Sequence, residues 1–126
     1  MNNAIKIAVA DNHKEYREAL SGLLAGYGFT IVLSAGVGPG LLSLIDPAHP
    51  PDVIIISCST IHPESIGLIG ELKNKFPSIK LLANVVFMHY LPETEVIREA
   101  VDGVIIKTMT GPEAIEKAIL KACGRL

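Results

Sequence analysis

The chain's pattern predicts an α/β domain, a doubly wound (βα)5 architecture in which a five-stranded parallel sheet carries helices on both faces. Three observations predict it. Short runs rich in Ile and Val alternate with stretches of helical periodicity from end to end. The middle run, Val53-Ile54-Ile55-Ile56, is apolar at consecutive positions, as a central parallel strand buried on both faces requires. No linker, repeat or low-complexity segment interrupts the alternation, so residues 1–126 read as one domain, large enough for a real core.

Taken in order, Ile5 to Ala10 is the first strand, ended by Asp11-Asn12. Tyr16, Ala19, Leu20, Leu23, Leu24 and Tyr27 then share one helical face, with Asn12 and Glu15 spaced as a capping box and Gly28 placed to stop the helix. Phe29 to Leu33 is the second strand. Pro39 opens a short helix carrying Leu41, Leu42, Leu44 and Ile45, which Pro47 and Pro50-Pro51 end. Asp52 to Ser57 is the third strand. Pro63 suits a first helical position, Ile66, Ile69, Leu72 and Phe76 form the buried stripe of that helix, and Pro77 stops it. Ile79 to Val86 is the fourth strand, followed by a weaker helix over about Glu93 to Ala100. Val104 to Lys107 is the fifth. Thr110 with Glu113 is expected to cap a last helix that turns Ile115, Ala118, Ile119 and Ala122 inward.

Composition excludes several functions. Hydrophobic residues make up 49% of the chain, yet there is no Trp and only three Tyr and three Phe, so the core must be aliphatic. A formal net charge of −2, with basic residues scattered, provides no electrostatic footprint for nucleic acid or an anionic membrane. Neither a signal peptide nor a run of transmembrane length is visible, and two cysteines, Cys58 and Cys123, fit a reducing compartment; a cytoplasmic location is expected. His49, His62 and His89 lie on separate predicted loops without ligand spacing, and His13 reads as a surface or helix-start residue rather than a ligand, so no metal site is expected from them.

In an open parallel sheet, ligands meet the carboxyl ends of the strands near the switch in strand order. Asp11, Asn12, Ser57, Asn84 or Val85, and Lys107 all fall at such ends. Topology alone therefore assembles a candidate site.

With those residues in place, the chain resembles the receiver domain of two-component response regulators, a flavodoxin-like fold, and especially the subclass with a C-terminal helix-turn-helix output. The resemblance rests on Ile5-Lys6-Ile7-Ala8-Val9-Ala10-Asp11-Asn12-His13-Lys14 with Arg17-Glu18-Ala19-Leu20, on Pro51-Asp52-Val53-Ile54-Ile55-Ile56, and on Asp102-Gly103-Val104-Ile105-Ile106-Lys107. It implies a phosphorelay pocket in which a first-strand acidic pair holds Mg²⁺, a third-strand aspartate accepts the phosphoryl group, a fourth-strand hydroxyl follows it and a fifth-strand lysine pairs with it. Carried over, the set is degenerate, as in a pseudo-receiver. Asp11 and Lys107 match; Asn12 replaces one acid, Ser57 the phosphoacceptor and Val85 the hydroxyl; the switch aromatic falls at Val104.

Acyl-phosphate formation needs a carboxylate nucleophile and a metal that neutralises the phosphoryl oxygens. Ser57 is an alcohol without a general base, since Asp11 is expected to be engaged by Lys107. With one acid left of three, Mg²⁺ affinity should fall severely, and no cofactor is expected. The reading is a non-enzymatic signalling domain that docks to a partner or to itself through the face of the fourth helix, fifth strand and last helix. The apolar segment Phe87-Met88-His89-Tyr90-Leu91 lies beside that face. Two alternatives remain at this stage. One is a small-molecule module of cobalamin or nucleotide type, for which Asp11-x-His13 and Ser57-Cys58-Ser59 give a loose likeness without its glycines. The other is a receiver modified at a substitute site such as Ser57. A serine hydrolase is poorer, because no Gly-x-Ser-x-Gly elbow surrounds Ser57. The chain is expected to be either a stand-alone adaptor or the leading part of a protein with an output domain.

Overall fold

The computed structural model describes residues 4–58, 64–86, 98–107 and 111–125. Its strands are β1 (Lys6–Ala10), β2 (Thr30–Ala35), β3 (Val53–Ser57), β4 (Lys80–Val85) and β5 (Gly103–Ile106). They form one sheet in the order β2-β1-β3-β4-β5, with every adjacent pair parallel. The order reverses between β1 and β3, so Asp11 and Ser57 flank the switch point. The helices are α1 (Lys14–Gly26), α2 (Leu41–Leu44), α3 (Glu64–Lys75) and a last helix, Pro112–Ala122. Residues 98–100 are helical as well, while the rest of the helix expected over 93–100 lies outside the described residues.

Two cores result, one on each face of the sheet. Ala8, Ile54, Ile56, Leu81 and Ala83 meet Leu41 and Ile45 from the α2 segment and Ile69, Leu72 and Phe76 from the α3 segment. Ile7, Val9, Val53, Ile55, Leu82 and Ile105 meet Leu20 and Leu24 of α1 and Ile115 and Ile119 of the last helix. Strand β3 feeds both: Val53 to Ile56 are at most 1% exposed, and each such side chain stabilises the fold by roughly 1.5–3 kcal/mol on burial. The expected stripe holds in the last helix and, along the α3 segment, at Ile69, Leu72 and Phe76; the Ile66 side chain lies outside the described residues. On α1, however, only Leu20 and Leu24 are buried, whereas Ala19 and Leu23 sit at the exposed margin of the face.

The edge strand β2 runs two residues past the expected Leu33, because a register shift feeds its two ends to different cores. Ile7 pairs with Ile31 but Ala8 pairs with Leu33, leaving Val32 as an extra, 45% exposed residue. Ile31 then packs on the α1 side while Leu33 and Ala35 pack on the α2 side. A bulge on an exposed edge also hinders pairing with another strand.

The helix ends differ from the expected caps. His13, not Asn12, is the N-cap of α1, its Nδ1 accepting from the Tyr16 N–H at 3.2 Å. Asn12 is drawn away because its Oδ1 accepts the Val37 N–H at 2.7 Å across the loop that follows β2. The last helix begins at Gly111 with no side-chain cap and Pro112 in its first turn, and Thr110 lies outside the described residues. Gly28, with φ 94°, follows α1 as expected for a left-handed stop. Pro63, His62 and Phe87 to Leu91 lie outside the described residues. Among the described residues, no helix is long and apolar enough to cross a membrane.

Candidate functional site

The site is built where β1, β3, β4 and β5 end together. After β1, the Asp11 N–H donates to Ala35 O at 2.9 Å, and the Arg17 Nη1 donates to Asp11 O at 2.9 Å, which fixes the turn into α1. Asp11 is 3% exposed, and both of its carboxylate oxygens are engaged: Oδ1 accepts the His13 N–H at 2.8 Å and Oδ2 accepts Lys107 Nζ at 2.7 Å. Lys107 directly follows β5 and is anchored by its N–H to Val85 O at 2.7 Å. Its ammonium also donates to Ser57 Oγ at 3.1 Å and lies 4.5 Å from the centre of the Tyr16 ring.

Tyr16 and Asn84 complete the cluster. Asn84 pairs in register with Ser57 on one side and Ile105 on the other, and its Nδ2 donates to Tyr16 Oη at 2.9 Å. Asn84 is 1% exposed, and its Oδ1 is buried without a partner among the described residues. A tyrosine on α1 thus ties β4 and β5 together. Periodicity placed Tyr16 on the inner face but gave no sign that its ring would receive Lys107. The signal available was its position one helical turn after Asp11-Asn12, at the mouth of the sheet.

The structure brings Asp11, Ser57 and Lys107 together and separates the other candidates from them. Asn12 Oδ1 faces Val37, so tightly that a Cβ on Gly36 would stand 2.9 Å from it. Val85 is 6% exposed within the α2–α3 core, on the opposite face of the sheet from Asn84, and Val104 packs partly buried against that same core. Cys58 is buried too. Desolvation pushes its thiol up to about 12 despite the nearby positive charge of Lys107, so it is a neutral thiol at physiological pH.

These residues do not fit Mg²⁺. The ion demands octahedral oxygen ligands including one or two free carboxylates. Here the Asp11 carboxylate is neutralised by an ammonium, the Asn12 oxygen is committed elsewhere, and the Ser57 oxygen accepts from Lys107. Among the described residues, no group of three or more His, Cys, Asp or Glu side chains is placed to hold a metal ion.

Comparison with known proteins accords with this architecture. No family model matches the chain. The transcriptional regulatory protein DegU of Brevibacillus brevis is 24% identical over 123 residues, 97% of this chain and 52% of that protein, so the chain spans about half the length of the curated relative it matches. Among solved structures, a pilus assembly-related protein from Burkholderia pseudomallei superposes with a TM-score of 0.83 at 17% identity, covering 99% of this chain and 93% of that one. The signal receiver domain of NarL from Mycobacterium tuberculosis superposes with a TM-score of 0.76 at 22% identity, covering 95% and 96%. The fold is that of a response-regulator receiver domain.

Proposed function

We propose that residues 1–126 form a receiver-type signalling domain that works by protein–protein docking and stores no phosphoryl group at the third strand. The observation that carries this reading is the Lys107 ammonium, bound at once to Asp11 at 2.7 Å and to Ser57 at 3.1 Å. A hydroxyl stands where the chemistry needs a carboxylate nucleophile, and the Asp11 carboxylate is already compensated by an internal cation. The domain is a non-enzymatic module in the cytoplasm. Its partner is a signalling protein or a second copy, met through the face of the helix ending near Ala100, β5 and the last helix. It makes no contact of its own with nucleic acid or membrane, consistent with the weak net charge of −2. The direct test is an NMR titration of the chain with Mg²⁺ and beryllofluoride, and separately with acetyl phosphate. No saturable change is expected at Asp11, Ser57 or Lys107, and a saturable response centred on those residues would overturn the reading.

A further inference from the structure

We draw no further inference here: the strongest candidate, the side-chain cluster of Tyr16 and the buried Asn84 at the carboxyl ends of the strands, where one end of the Asn84 amide has no partner among the described residues, belongs to the site already described, and nothing in the structure shows what would meet it.

Discussion

The Lys107 ammonium touches three chemically different partners: a carboxylate, a hydroxyl and an aromatic face. The side chains of Lys107 and Asp11 are 17% and 5% exposed, so their pairing belongs to the interior rather than to the surface. Removing one member of such a pair leaves an uncompensated charge, whereas removing both leaves two modest packing defects. Lys107→Met is therefore expected to destabilise the chain by about 3 kcal/mol in urea unfolding. The double variant Asp11→Asn/Lys107→Met should cost less than the sum of its singles, with a coupling of about 1–2 kcal/mol. Additive losses would show that the pair is not coupled. Cys58, a residue away from Ser57, supplies a second expectation. Its thiol is buried and pushed up to about 12, chiefly by desolvation, so iodoacetamide at neutral pH should modify it only after unfolding. Its labelling rate should track the unfolded fraction, and modification of native chain as fast as a free thiol would contradict the packing described.

At the level of elements, the loops at the two edges of the sheet are held by acceptor side chains. At the amino-terminal edge of β5, Asp102 Oδ2 accepts both Lys73 Nζ at 2.6 Å and the Leu81 N–H at 2.8 Å, joining α3, β4 and β5. Burial raises the proton affinity of this carboxyl, but the Lys73 and Leu81 contacts outweigh it, and the net shift is below the usual 3.8. A carboxyl whose folded pKa is depressed contributes stability above the unfolded value and loses it as pH falls through the folded one. Asp102→Asn should therefore cost about 1 kcal/mol at neutral pH, a figure reduced for its partial exposure, and the difference should shrink as pH falls below 3.8. Matched unfolding curves across that range measure it. Most elements were legible because burial on both faces of β3 and the one-sided stripes of α3 and the last helix leave a direct trace in residue type. The caps of α1 and the last helix were not. Asn12 had two possible uses, and the choice fell to Val37, a residue 25 positions away whose approach depends on β2 pairing with β1. Asn84 and Tyr16 were hidden for the same reason: their bond spans 68 residues and exists only once the sheet is assembled.

For the molecule as a whole, the sheet delivers four strand ends to one edge, so on the function proposed above the shortage of carboxylates there, rather than the scaffold, should account for the misfit to Mg²⁺. That distinction can be measured by supplying them. Asn12→Asp/Ser57→Asp would set three carboxylates against the single Lys107 ammonium. Like charges about 4 Å apart repel by up to roughly 4 kcal/mol at an effective dielectric near 20, so the metal-free double variant should melt several degrees below the parent. A cation bound only by the folded state then returns stability by mass action, about 2.7 kcal/mol at a hundredfold excess over its Kd. For a domain of 126 residues this is a rise of roughly 10 °C. The parent chain, whose Asp11 carboxylate already holds Lys107 and the His13 N–H, should show no Mg²⁺-dependent rise in Tm beyond that produced by an equal ionic strength of NaCl. If the double variant is folded yet equally indifferent to Mg²⁺, the cause lies beyond those two side chains. The place to look would then be the Asn12–Val37 bond, which turns residue 12 toward the β2 loop and which an aspartate there could retain.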